Sequence, residues 1–223
     1  MSSIKDLERV LGVKFNHIEL LHQALTHSSY ANENESSTHN ERLEFLGDAV
    51  IGLLMGEYLY NKGIKTEGEM SKKRAQAVCE EALAMYAASI NLASYLKLGK
   101  GSEQLGSREN PAIIADAFEA VFGAIFLDLG FEATRKLFKK IVIPNLHEVK
   151  EIKDYKSTLQ EYVQTDRKNI TYHLEHQEGP SHDKVFTVSV RMDDIILGIG
   201  KAKTKKEAEQ KAAEYALSKL AKE

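Results

Sequence analysis

Cysteine is almost absent from this 223-residue chain: Cys79 is the only one. A lone cysteine excludes an internal disulfide framework and a cysteine-ligated zinc site, and it suits a reducing compartment. Long apolar runs are missing too. No stretch reaches 18 apolar residues, so no membrane span is expected. The opening MSSIKDLERVLG is amphipathic and carries Asp6 and Glu8, without the basic and apolar regions of a secretory signal. A large excess of one charge is also lacking: the net charge is −3, from 30 basic and 33 acidic residues. Residues 154–223 hold 12 of each, so the deficit lies in the remainder. Neither part is basic overall, and any nucleic-acid site must be a local patch. Paired Glu-x-x-His motifs, which a carboxylate di-iron bundle requires, are absent as well. The one instance, Glu19-Leu-Leu-His22, has no second copy. There is no internal repeat and no low-complexity tract.

What is present centres on Asn40–Val50, NERLEFLGDAV. Glu41, Glu44 and Asp48 stand at i, i+3 and i+7, within roughly 60° of one another on a helix. No Lys, Arg or His shares that stripe. The sequence then turns apolar nearly all round, from Ala49 to Gly56, which reads as a buried helix. Buried carboxylates need a cation or a shifted pKa. Each acid also has a structural explanation of its own. Thr38-x-x-Glu41 fits a capping box, Glu44 fits a surface position, and Asp48 fits a remote ion pair. A second helix repeats the theme: Asp116 and Glu119, at i and i+3, sit within IIADAFEAVFGAIFL. If the two helices pack together, Glu44, Asp48, Asp116 and Glu119 converge. An oxygen-only donor set suits Mg²⁺ or Mn²⁺, and carboxylate-held Mg²⁺ serves phosphate chemistry.

Around these acids, residues 3 to about 145 read as successive helices: Ile4–Leu11, Ile18–Thr26, Glu41 to Tyr60, Ser71 to Ala88, Asn91–Leu98, Ala112 to Leu129 and Ala133–Leu146. Tyr30–His39 and the Gly- and Ser-rich Gly99–Glu109 read as loops, the latter mobile. TEGEMS, Thr66–Ser71, reads as an acid-bearing turn. Pro111 suits a helix start, and Gly130 closes the helix that follows. Residues 147–155 are charged and lack an apolar period, as a linker does. The period then changes. A short helix, Ser157–Gln164, precedes alternating segments at Ile170–His176, Phe186–Met192 and Ile195–Lys203. Asp193-Asp194 turns the chain between the last two. A helix from Thr204 follows, with Thr204-x-x-Glu207 as its capping box and Ala208, Ala212, Tyr215, Ala216 and Leu220 as its apolar positions. The expected fold is two domains: an all-α domain over 3–146, a linker over 147–153, and a small α-β-β-β-α domain over 154–223.

The small domain carries its own candidate site. Lys201, Lys203, Lys205 and Lys206 cluster at the start of its last helix, against the macrodipole. Lysines beside free N–H groups make a phosphate site. The alternative is a solvated helix start offset by Glu207 and Glu209. Gln160 and Gln164 share a face of the first small helix, where they suit a shallow groove, although Ser157-x-x-Gln160 also fits a cap. His182 lies in the loop GPSHD.

These residues carry a resemblance. NERLEFLGDAV, ADAFEA (Ala115–Ala120), TEGEMS and QALTHSSY (Gln23–Tyr30) resemble motifs of bacterial ribonuclease III. LQEYVQ, GPSHDKVF and GKAKTKKEAEQKAA resemble a double-stranded-RNA-binding domain. The resemblance spans nearly the whole chain in the family's domain order. It implies Glu44, Asp48, Asp116 and Glu119 as the metal site, with Asp48 and Glu119 catalytic. It implies Glu41 and Glu67 as supporting acids of the cleft and Phe45 as an apolar knob at a subunit interface. In the small domain, Gln160, Glu161 and Gln164 match minor-groove contacts, His182 lies in the matching loop, and Lys203, Lys205 and Lys206 match phosphate-binding lysines. The implied activity is a cytoplasmic, homodimeric, Mg²⁺-dependent endonuclease, with Mn²⁺ as a substitute metal and no organic cofactor. Double-stranded RNA is its expected substrate, cut to 5′-phosphate and 3′-hydroxyl ends with a short 3′ overhang. Precursors of ribosomal RNA and structured messenger and transfer RNA precursors are the expected targets. The alternative is a non-catalytic double-stranded-RNA-binding assembly protein; the complete acid set argues against it.

Overall fold

A computed structural model describes residues 3–34, 38–149, 155–164, 169–180, 184–193 and 195–220. Backbone contacts divide the chain into two compact units, Met1–Glu151 and Ile152–Glu223.

The first unit is helical: α1 (Ile4–Leu11), α2 (Ile18–Ala24), α3 (Ser28–Glu33), α4 (Glu41–Asn61), α5 (Glu67–Ala77), α6 (Glu80–Ser89), α7 (Lys100–Gln104) and α8 (Pro111–Asn145). The central pair is α4 and α8, and α6 packs on α8. Their core includes Ile51, Leu54 and Met55 from α4, together with Tyr86, Phe118 and Phe122, whose rings are tilted against one another. Each such side chain, fully buried, stabilises the fold by roughly 1.5–3 kcal/mol. Tyr86 keeps a partner for its hydroxyl, which donates to the Ala77 carbonyl at 3.1 Å. Among the described residues, no helix is long and apolar enough to cross a membrane.

Several expectations need correction. Part of the supposed loop after Tyr30 belongs to α3, which the His27 ring caps by accepting the Ser29 N–H. Thr38 does not cap α4: Asn40 stands at that position, and no side chain caps it. TEGEMS is the first turn of α5, because the Thr66 hydroxyl accepts the Glu69 N–H. The single helix expected from Ser71 to Ala88 is two, since extended backbone at Cys79 (φ −75°, ψ 162°) breaks it. Gly99–Glu109 is not an open loop either. It forms α7 and a 3-10 turn, Ser107–Glu109, pinned by Arg108 on Glu103 at 2.8 and 2.7 Å and by Glu33 on the Lys100 N–H at 3.0 Å. Gly130 (φ 79°, ψ 178°) breaks α8 as expected, and helix resumes directly after it. Nor is α4 buried all round: Phe45 is 82% exposed and Leu53 60%.

In the second unit, α9 (Tyr155–Gln164) and α10 (Lys205–Leu220) pack with each other, and α10 lies on the antiparallel sheet β1 (Ile170–Glu178), β2 (Val185–Met192) and β3 (Ile195–Ala202). Leu159, Val163, Val190, Ala212, Ala213 and Ala216 form its core. Two glycines in β3 permit the close approach of α10. A Cβ at Gly198 would stand 2.3 Å from the Ala212 carbonyl oxygen, and one at Gly200 would stand 2.2 Å from that of Ala208. Ala213 belongs to this core, whereas Tyr215, expected among its apolar positions, is half exposed. Asp193 turns the chain at φ 47°; Asp194 lies outside the described residues, as do residues 150–153 of the expected linker.

Candidate functional site

The acid helices meet through two glycines. A Cβ on Gly47 of α4 would lie 1.8 Å from the Glu119 carbonyl oxygen, and one on Gly123 of α8 would lie 2.2 Å from that of Leu43. No side chain fits between the backbones there. Glu44 stands one turn before Gly47 and Glu119 one turn before Gly123, so the contact brings their carboxylates to one place. Asp116, one turn before Glu119, joins them. One carboxylate oxygen from each of Glu44, Asp116 and Glu119 lies within 4.8 Å of the others.

All three acids have raised pKa values. Burial pushes Glu119 up to about 8, assisted by the fields of Asp48, Glu44 and Asp116. Burial and then Asp116, Glu41 and Asp48 raise Glu44. Burial and Glu80 raise Asp116, with His27 opposing. Like charges crowded in a partly buried site are relieved by a proton or by a cation. The donors are all carboxylate oxygens, the set that a hard divalent ion takes. The residues present therefore fit such a metal.

The remaining expected residues are placed differently. Asp48 is exposed on the turn of α4 after Glu44 and acts on Glu119 through its field. Glu41 is exposed, with an oxygen 3.8 Å from the His39 ring. Glu67 is exposed at the start of α5 and accepts the Ser71 hydroxyl at 2.6 Å. Phe45 stands on the outer face of α4, where Ala49 and Leu53 continue an exposed apolar stripe at i+4 and i+8. Two residues near the acids gained no role from the sequence. Glu80 fell inside a helix expected to run unbroken from Ser71 to Ala88, with no signal to set it apart. His27 lies inside the motif QALTHSSY, which was legible as a motif only.

In the second unit Lys203, Lys205 and Lys206 are exposed at the mouth of α10. The Thr204 hydroxyl accepts the Glu207 N–H at 3.2 Å, which forms the first half of the expected capping box. Gln160 lines a shallow recess with Lys156, Ser157 and Tyr172. Lys156 rests over the Tyr172 ring and pairs with Glu209. His182 and the side chains of Glu161 and Gln164 lie outside the described residues.

Comparison with known proteins covers both units. Residues 17–146 match the family described as Ribonuclease-III-like, and residues 155–220 match the double-stranded RNA binding motif. The chain is 50% identical to Ribonuclease 3 of Onion yellows phytoplasma (strain OY-M), over all of this chain and 93% of that protein. It is 45% identical to Ribonuclease 3 of Bacillus cereus (strain G9842), over 98% of this chain and 91% of the other. Among solved structures, the nuclease domain of ribonuclease III from Campylobacter jejuni superposes with a TM-score of 0.60 at 42% identity, covering 64% of this chain and 98% of that one. That structure was described for flexibility in a region involved in dimer formation.

Proposed function

The chain belongs to the ribonuclease III family and is a double-strand-specific endoribonuclease, and from that premise we propose that Glu44, Asp48, Asp116 and Glu119 hydrolyse RNA phosphodiesters with Mg²⁺. The observation that carries the reading is the convergence of three carboxylates, Glu44, Asp116 and Glu119, with no basic side chain in an ion pair with any of them among the described residues.

Glu44, Asp116 and Glu119 would hold the ion, and Mn²⁺ is the natural substitute. Bound there, Mg²⁺ supplies an activated water and offsets charge on the phosphate and leaving oxygens. Burial and the neighbouring carboxylates raise the Glu119 pKa to about 8, and a bound cation would take the place of its proton. Asp48, exposed beside the triad, would orient the attacking water. Glu41 and Glu67 support the cleft. The products would be 5′-phosphate and 3′-hydroxyl ends with a short 3′ overhang.

The small domain brings the duplex. Lys203, Lys205 and Lys206 meet phosphates at the start of α10, while Gln160, Glu161, Gln164 and His182 meet the minor groove. A-form RNA presents a wide, shallow minor groove with 2′-hydroxyls, read mostly by shape. Phe45, so exposed on α4, is suited to the surface of a second copy, and the enzyme works as a homodimer. Its place is the cytoplasm, and its substrates are ribosomal RNA precursors and structured messenger and transfer RNA precursors. The test is incubation with a long perfect RNA duplex and the matching DNA duplex, with and without Mg²⁺. Mg²⁺-dependent fragmentation of the RNA alone is expected. Binding without fragmentation in either Mg²⁺ or Mn²⁺ would overturn the reading.

A further inference from the structure

His27 is tied to the surroundings of the acid site through its backbone. Its N–H donates to the Lys97 carbonyl at 3.1 Å, and the adjacent Thr26 carbonyl accepts the N–H of Asn40, the residue before α4, at 2.9 Å. The backbone at His27 is therefore tied to the start of the helix that carries Glu44. The orientation of the ring is also set. The Ser29 N–H donates to Nδ1 at 3.2 Å, and Ser29 Oγ lies 2.8 Å from the same nitrogen. That hydroxyl oxygen already accepts the Gly99 N–H at 3.0 Å, which leaves its own hydrogen for Nδ1. A nitrogen that accepts a backbone N–H carries no proton, so the ring proton of the neutral imidazole is on Nε2.

The surroundings give that proton a use. The groups that crowd the triad are carboxylates: Asp48, Glu41 and Glu80, in addition to the three themselves. Carboxylates only accept hydrogen bonds, and so do the non-bridging oxygens of a phosphodiester. His27, within electrostatic reach of Asp116, is the donor-bearing side chain among the groups acting on the triad. We propose that His27 presents Nε2–H to a non-bridging oxygen of the RNA phosphate engaged at the Glu44–Asp116–Glu119 site, as a catalytic residue that touches substrate. The proposal rests on the reading of that triad as the hydrolytic site. A pre-oriented donor counts most where negative charge grows during reaction. Nδ1 has a separate, structural duty as the cap of α3.

Because the two ring nitrogens have different duties, two substitutions separate them. Asparagine is a favoured N-cap residue, so His27→Asn keeps the acceptor for the Ser29 N–H and loses the distal donor. In His27→Gln the amide nitrogen reaches toward the place of Nε2, and the short-range cap is lost. The full chain and both variants would be compared by melting, by duplex-RNA binding in Mg²⁺-free buffer, and by single-turnover cleavage in Mg²⁺ with enzyme in excess. His27→Asn should melt and bind as the parent does and cleave about 100-fold more slowly. His27→Gln should melt lower yet recover roughly tenfold of the lost rate. A purely structural role predicts the opposite order, with the better-capped Asn variant the faster. That order, or parental cleavage by His27→Asn, would overturn the inference and leave the acid site standing. Failure of the parent protein to cleave would overturn the acid-site reading and this inference with it.

Discussion

Replacing Glu119 by glutamine should make the metal-free protein more stable while it abolishes cleavage. In the folded protein Glu119 titrates at about 8, against an ordinary value of 4.5. The folded state thus binds a proton more tightly than the unfolded chain does. Its contribution is fully present below the unfolded value and is lost as pH rises toward 8. A shift of this size corresponds to at most about 5 kcal/mol. Partial solvent exposure of the site reduces that to roughly 1–3 kcal/mol. Glutamine has nearly the same shape and never ionises. At pH 8 without metal, Glu119→Gln should melt higher than the parent, by roughly 2–10 °C for a unit of this size. At pH 4.5 the two should melt together. Mg²⁺ should raise the melting temperature of the parent at pH 8 and have little effect on the variant. The assay is a melting series over pH with and without Mg²⁺, paired with cleavage of a long RNA duplex. Equal melting at pH 8, or a gap that persists unchanged at pH 4.5, would refute the account of the crowded acids. Normal cleavage by the variant would remove Glu119 from the mechanism, and RNA binding should be largely retained.

Other expectations follow from single contacts. Gly47→Ala places a methyl group 1.8 Å from the Glu119 carbonyl oxygen; overpacking should cost about 1–3 kcal/mol, separate the acids and suppress Mg²⁺-dependent cleavage, as melting and cleavage assays would show. Lys205→Ala with Lys206→Ala should weaken duplex binding and flatten its dependence on the logarithm of salt by about 1 per lysine; an unchanged slope would mean that these lysines do not touch phosphate. Phe45→Ala removes a ring that is 82% exposed, so it should leave the melting of the single chain nearly unchanged and weaken the dimer in sedimentation.

Much of this protein was legible without coordinates because the controlling facts are local. The change from helical to alternating period after residue 155 marks the small unit, and β3 alternates from Gly198 to Ala202, whereas in β2 Thr187 and Ser189 are buried together with Val188 and Val190. The acids of Asn40–Val50 and Ala115–Ala120 stand at helical spacing, and helix geometry alone puts those in each segment near one face. The motifs supplied the family. Where the sequence misled, the deciding contact was a cap or a break that composition does not mark. The ring of His27 starts α3 in a polar stretch, extended backbone at Cys79 divides two helices, and the Arg108–Glu103 pair orders a Gly- and Ser-rich segment.

The sequence by itself determined which groups are available: carboxylates without histidine or cysteine ligands, a lysine cluster at a helix start, and apolar side chains along α4. Tertiary structure decided which of them meet. Glu44, Asp116 and Glu119 converge because Gly47 and Gly123 let two backbones touch, a long-range contact that helical spacing does not specify. It also decided that Asp48 stands exposed beside the triad, that Glu80 and His27 act on Asp116, and that Phe45 faces outward. Each depends on how helices far apart in sequence pack, and packing is settled by the whole core.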